Sequence, residues 1–265
     1  LDDGDGRDLS QEQLELTLND ILALHGIETI HDKDSPQPAP TREDAHVIAK
    51  AVLNQPELAK KLYEIHRSNG DRCSCSQAKA RPVRIKDLIK SDKDLNEYEN
   101  EYELSVPEVP GNNWKKTMFE NWCDFLGGMW LEMWCHDLIA PLTAEVHQGI
   151  NCVRDNGRMF EVDVALVRGH RLYVISCTTD TTLQLCKSKL FEVTMRARQL
   201  GGDLARSALD SLLHKGNEKG SFVSQLQNDV DEIWDAPNKP RIFGLYDLKE
   251  WKEGNINSLR MWLDS

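Results

Sequence analysis

Residues 159–178, Met-Phe-Glu-Val-Asp-Val-Ala-Leu-Val-Arg-Gly-His-Arg-Leu-Tyr-Val-Ile-Ser-Cys-Thr, constrain the fold more than any other stretch of this chain. Two apolar runs rich in β-formers flank Arg168-Gly169-His170-Arg171, which reads as a tight turn between strands. Alternation along the first run places Glu161 and Asp163 on one face, with Val162 and Val164 on the other. A carboxylate set in an apolar strand is costly unless it is hydrated, paired or bound to a cation. Two such groups, two residues apart on one face, suit a hard divalent ion such as Mg²⁺ or Mn²⁺. The second run closes on polar Ser176-Cys177-Thr178.

The surrounding pattern embeds this hairpin in a mixed architecture. Residues 1–110 read as a small helical region. One helix runs from a Ser10 cap to Gly26, a Pro-rich linker lies near 35–40, a second helix opens at Thr41-Arg42-Glu43-Asp44, and a third starts at Pro56. Residues 68–81 are polar and irregular, and 86–103 are highly charged. From residue 111 onward the character changes. Trp114, Met118, Trp122, Phe125, Leu126, Met129, Trp130, Met133 and Leu138 form a helical apolar stripe, interrupted by Gly127-Gly128 and by Glu132. Strands are expected at 144–153, 158–167 and 171–177, followed by a helix from Leu183 to Leu200 that ends at Gly201-Gly202. A further helix capped by Asp203, a loop over 214–221, a short strand at 241–245 and a final helix at 258–263 complete the reading. This order predicts an α/β (α+β) domain with a mixed sheet flanked by helices, preceded by the helical region.

Bulk properties narrow the function classes. The net charge of −12 is uneven: residues 1–113 hold 14 Lys+Arg against 23 Asp+Glu, and residues 114–265 hold 18 against 21. The near-neutral second part, with basic Lys187, Lys189, Arg196, Arg198 and Arg206, permits contact with DNA or RNA. Seven cysteines, several inside apolar patterns, suit buried thiols in a reducing compartment, the cytoplasm or the nucleus. Cys73-Ser74-Cys75 is the one tight pair and lacks a second pair at ligand spacing for zinc. No apolar run approaches the ~18 residues of a membrane helix. The chain opens at Leu1 and is read as a processed or truncated piece of a longer protein.

Four pieces in order, Gly128-Met-Trp-Leu-Glu132, Phe160-Glu-Val-Asp-Val164, Arg171-Leu-Tyr-Val-Ile-Ser-Cys177 and Ala197-Arg-Gln-Leu-Gly-Gly202, carry a resemblance. From about 114 to 265 the chain resembles the PD-(D/E)XK nuclease domain of the CARF-fused effector nucleases of type III CRISPR antiviral defence. The resemblance implies a restriction-endonuclease-like fold and a metal-dependent nuclease acting on DNA or RNA, with Glu132 and Asp163 as ligands of Mg²⁺ or Mn²⁺. It also implies a homodimeric active unit and a sensor for cyclic oligoadenylate. Residues 1–113 lack the pattern of that sensor, so the sensor is expected to be absent from this chain.

The chain departs from the family at the third element. Where the family has Glu-x-Lys, this sequence has Ser176-Cys177-Thr178, and threonine supplies no cation. Ser176 or the Cys177 carbonyl would complete the metal shell. The lysine would come from the next helix, as in other members of the superfamily, through Lys187 or Lys189. Lys189, Glu192 and Arg196 share one helix face and restore the charge types lost from the strand; the same spacing also fits an ordinary salt-bridged surface helix. The competing reading is a catalytically inactive domain of the same fold that binds nucleic acid or protein. A catalytic thiol at Cys177 would need a base, and nothing in the sequence places His147 or His170 beside it.

Overall fold

The computed structural model describes residues 16–30, 39–70, 121–154, 156–214, 216–217, 220–234 and 238–265. The Ser10 cap, residues 35–38 of the Pro-rich linker, the charged stretch 86–103, Trp114, Met118, Cys73 and Cys75 lie outside them. The described chain builds one six-stranded mixed sheet with helices on both faces.

Three helices flank the first strand in the chain, one before it and two after it. Helix α1, Leu18–Leu24, is capped by Thr17, whose side chain accepts from the Asp20 amide while Asp20 answers to the Thr17 amide. The same reciprocal box, Thr41 with Asp44, starts α2, Arg42–Asn54, as the Thr-Arg-Glu-Asp pattern predicts. Helix α3 spans Glu57–Gly70. Within the region expected to be helical, Ile27–Ile30 forms strand β1, which pairs antiparallel with β2, Glu145–Arg154. This four-residue run is too short to announce its period, and pairing to a ready edge decides its conformation.

Strands β2, β3 (Met159–Arg168) and β4 (Arg171–Thr178) form the expected antiparallel meander. Gly169, at φ 63°, makes the β3–β4 turn, a backbone region open mainly to glycine. Helix α5, Leu183–Gly201, crosses from β4 to the parallel strand β5, Arg206–Ser211. After a two-stranded ribbon of β6 (Gly216–Asn217) and β7 (Gly220–Ser221) comes α6, Phe222–Ile233, and then β8, Arg241–Phe243, parallel to β5. Helices α7, Leu245–Lys252, and α8, Asn257–Leu263, end the chain. The sheet order is β1-β2-β3-β4-β5-β8.

Strand β5 corrects the helix expected from an Asp203 cap. Gly202–Leu204 makes only a single 3₁₀ turn. Arg-Ser-Ala-Leu-Asp-Ser carries no β-branched residue, but its place between β4 and β8 is buried on both faces, and tertiary pairing overrides local propensity. The expected loop at 214–221 holds the small ribbon, and α6 and α7 are elements that the periodicity does not announce.

One face of the sheet packs α2, α7, α8 and α4, Trp130–Ile139, around Trp122, Trp130, Phe243 and Trp251. The other face packs α1 and α5 against Val167, Leu172 and Val174, and α6 extends this layer beside Leu209 and Ile242. Alternation along β4 sends Tyr173, Ile175 and Cys177 to the α4 side, and Leu172 and Val174 to the α5 side. The described cysteines, Cys123, Cys135, Cys152, Cys177 and Cys186, are all free thiols and all buried.

Candidate active site

The β3–β4 ladder runs from Arg168↔Arg171 to Val164↔Ile175 and ends there. One residue further on, the Asp163 side chain takes over. Its Oδ2 accepts from the Ser176 hydroxyl at 2.9 Å and from the Cys177 amide at 2.7 Å. The carboxylate thus satisfies a strand N–H that the neighbouring backbone no longer reaches. On the other side of β3, Gly149 adopts φ 59° opposite Asp163, between the paired positions Gln148↔Val164 and Ile150↔Val162. A Cβ there would lie 3.8 Å from Glu161 Oε1. Alternation also slips here, because Val162 joins the α5-side core together with Ala165. Burying Val162 on that side and seating Asp163 at the strand fork are two aspects of one local distortion.

The fork opens into a cleft of about 210 Å³ lined by Glu161, Asp163, Ser176, Lys189, Glu192 and Arg196 over a floor of valines and Ile175. Helix α5 supplies its basic wall. Arg196 bridges the Glu192 carboxylate, four residues earlier, and the Glu161 carbonyl, fastening the helix to β3. Its guanidinium also lies 5.6 Å from the centre of the Phe160 ring, with Arg154 at 5.8 Å. Lys187 does not join the cleft, because its ammonium is 2.7 Å from Asp229 Oδ2 on α6. Of the two candidate lysines, Lys189 is therefore the one at the cleft.

Glu132 approaches from α4, within the first turn after Phe125–Met129, where the helix kinks at Gly128. The Gly127-Gly128 pair that interrupts the stripe falls in this segment, and Thr179 after β4 donates to the Gly127 carbonyl at 3.2 Å. Burial raises the Glu132 carboxyl to about 9, reinforced by Asp163, Glu161 and Asp124 and opposed by Lys189. Glu132 thus feels the carboxylates of the fork and the ammonium across it, although it does not line the cleft itself.

Cys177 lends this site its backbone and turns its thiol away. The sulfur is buried on the α4 side, where hydrogen bonding with Cys135 and burial push its pKa well above the ordinary thiol value. His147 is engaged by Glu145 at 2.7 Å, and His170 sits in the β3–β4 turn. A nucleophilic thiol needs the opposite environment. Two further residues, Cys135 and Asp210, escape a reading of the sequence. The one signal for them is an aspartate inside the run Ala-Leu-Asp-Ser-Leu-Leu, and the helix expected across β5 conceals it.

No protein-family model matches the sequence, and no curated protein is similar to it. Solved structures are. Protein VC1899 from Vibrio cholerae superposes over 94% of this chain and 62% of its own, at TM-score 0.56 and 17% identity. Can2 from Sulfobacillus thermosulfidooxidans, in complex with cyclic tetra-adenylate, does so over 94% and 60%, at TM-score 0.56 and 14% identity. The likeness is one of fold. The six-stranded mixed sheet flanked by helices is restriction-endonuclease-like, and the chain spans about three fifths of the length of these structures. Among the described residues no helix is long and apolar enough to cross a membrane.

Proposed function

We propose that this chain is a metal-dependent nuclease domain of PD-(D/E)XK type, hydrolysing phosphodiester bonds of DNA or RNA within a larger defence-type protein. The observation that carries the reading is the fork itself. Asp163, Glu161 and Lys189 share one cleft where β3 and β4 part, and Glu132 is repelled by both carboxylates. The donors fit Mg²⁺ or Mn²⁺, since carboxylate, hydroxyl and carbonyl oxygens are the hard ligands such ions select. A divalent charge would offset the burial and the repulsion that raise the Glu132 carboxyl.

In this reading Glu132 and Asp163 hold the ion. Ser176 and the Cys177 carbonyl complete its shell, since a strand residue presents its N–H and C=O along the same edge. A bound ion would polarise the phosphate and acidify a water. Lys189 orients that water and offsets the negative charge that builds on the phosphate. Arg196, tied to Glu192 and to the β3 backbone, holds α5 so that Lys189 faces the carboxylates. Glu192 serves as the anchor of Arg196, and Lys187 as an anchor to α6.

One observation favours the second reading, a silent domain of this fold. The position of the motif's second acid is Ser176, and its hydroxyl is already engaged with Asp163. Cleavage of single-stranded and supercoiled DNA and of RNA with Mn²⁺ separates the readings. The chain should cleave at least one of these, and Asp163→Ala should not. Equal activity in both proteins overturns the nuclease assignment, and absence of cleavage together with no Mn²⁺ binding that depends on Asp163 establishes the silent domain.

A further inference from the structure

Behind the fork, on the opposite face of the sheet, three more groups converge. Cys135 comes from α4, one turn after Glu132. Cys177 and Asp210 are paired neighbours on the parallel strands β4 and β5. Their donor atoms all lie within 4.8 Å of one another, all three residues are buried, and Cys135 Sγ is 3.0 Å from Asp210 Oδ2. Asp210 is 0% exposed, and its second oxygen, Oδ1, has no hydrogen-bond partner. A wholly buried carboxylate oxygen without a donor is rare, because it loses its hydration and receives nothing in return.

We infer that Cys135, Cys177 and Asp210 form a buried metal site for a borderline-soft divalent cation such as Zn²⁺, distinct from the hard-oxygen cleft on the other face. Bonds of ~2.3 Å to sulfur and ~2.0 Å to oxygen around a tetrahedral zinc set its donors roughly 3.5–3.8 Å apart. The observed cluster is within a small side-chain adjustment of that spacing. Oδ1 would bind beside Oδ2 as a chelating carboxylate, completing a distorted shell of two thiolates and one carboxylate, which accounts for its having no partner in the protein. Loading exchanges the two thiol protons for the metal, Zn²⁺ plus two thiols giving the dithiolate complex and two H⁺, with a third proton released where Asp210 is protonated.

The position gives the site a structural role. It joins three elements distant in sequence, α4, β4 and β5. One of them, β4, borders the cleft through the Cys177 amide that donates to Asp163, and α4 carries Glu132 beside it. Ordinary packing of two apolar thiols explains Cys135 and Cys177 but leaves the buried aspartate without a reason.

Co²⁺ titration of the reduced full chain, followed by displacement with Zn²⁺, tests the site. The expected result is one equivalent bound, with thiolate-to-cobalt charge-transfer and tetrahedral d–d bands. The bands should persist in Asp163→Ala and in Cys73→Ser/Cys75→Ser. In Cys135→Ala and Asp210→Asn affinity should drop by more than about 100-fold. No thiolate band overturns the proposal, as does a band that survives Cys135→Ala or disappears with Cys73→Ser/Cys75→Ser. So does recovery of a Cys135–Cys177 disulfide in place of bound metal. Should Cys135→Ala and Asp210→Asn fail to fold, the other proteins still decide. A Zn²⁺-dependent rise in melting temperature shared by the wild type, Asp163→Ala and Cys73→Ser/Cys75→Ser supports the site, and its absence overturns it.

Discussion

Ser176 and Cys177 are neighbours on β4, yet they belong to two unlike environments. Toward α5, Ser176 joins a half-exposed cleft of carboxylates and cations. Toward α4, Cys177 joins a dry cluster with Cys135 and the wholly buried Asp210. Hydration distinguishes them. In the cleft, charges are screened by solvent, whereas behind the sheet burial favours the neutral forms of Cys135, Cys177 and Asp210. There, Cys135 is raised to about 12, burial and Asp210 outweighing the lowering effect of its hydrogen bond with Cys177. Burial likewise raises Asp210 to about 7, against the hydrogen bond from Cys135 and with help from Asp247. One strand thus presents hard oxygen donors on one face and soft donors on the other, through the alternation of the β-pleat alone.

The largest expected effect falls on the wet side. Asp163→Ala should lower Mn²⁺-dependent cleavage by about 10³-fold, the scale of several kcal/mol of lost charge stabilisation. It should also cost about 1–3 kcal/mol of folding stability, since the Cys177 amide loses its acceptor. Asp163→Asn retains an acceptor oxygen and separates the two effects. It should lose activity while denaturant melts show most of the stability kept. A stable, fully active Asp163→Asn protein would remove the metal from the account of this fork.

Next comes Lys189→Met, with a loss of about 10²-fold in cleavage, the usual scale for a positioned proton-transfer or orienting group. The same change removes the cation that lowers the Glu132 carboxyl, so Glu132 should titrate at a still higher pH by carboxyl infrared or NMR signals. Loss of activity with an unmoved Glu132 titration would mean that Lys189 acts on substrate alone.

The wet side is legible in the sequence and the dry side is hidden, for physical reasons. Glu161, Asp163, Ser176 and Lys189 lie on strands and a helix with clear periodicity, which groups the acids on one face, although the slip that brings Val162 to the same side is invisible to it. It does not choose Lys189 over Lys187. Both sit on α5, and only the packing of α6 brings Asp229 to Lys187. Cys135 resembles one more apolar residue of the Trp130–Ile139 stripe. Asp210 is obscured along with β5, whose conformation is set by sheet neighbours and not by its own residues. Strand β1 escapes for the same reason, four residues whose partner lies more than a hundred positions away.

Stability against pH distinguishes the two sides more finely. Glu132 is raised to about 9 from 4.5 and Asp210 to about 7 from 3.8, so in each window the unfolded chain has lost a proton that the folded chain keeps. Each stabilising contribution is complete below the ordinary value and is lost as pH rises through the folded one. Without metal, melting temperature should therefore fall between about pH 4 and 9. Asp210→Asn should make the fall shallower below about 7, where both carboxyls contribute, and Glu132→Gln should make it shallower below about 7 and abolish it between about 7 and 9. The full linkage is about 1.4 kcal/mol per unit of separation, and partial hydration and relaxation reduce the observable change to roughly 1–2 kcal/mol. A melting temperature independent of pH in the wild type would mean that neither carboxyl is held neutral.

The smallest effect is the most diagnostic for the helix that carries the lysines. Lys187 and Asp229 are 43% and 46% exposed, so their 2.7 Å pair is largely screened and contributes at most about 1 kcal/mol. Lys187→Met should shift chemical denaturation by no more than that and leave cleavage within about twofold of wild type, and Asp229→Ala should match it in both respects. Both lysines belong to α5, two residues apart, so a probe that only removed positive charge from this surface would affect them alike. Unequal outcomes at Lys187 and Lys189 would tie function to the side chain that faces the fork. Equal losses at both would instead indicate that α5 acts as a general basic surface toward nucleic acid, with losses that shrink as salt is raised.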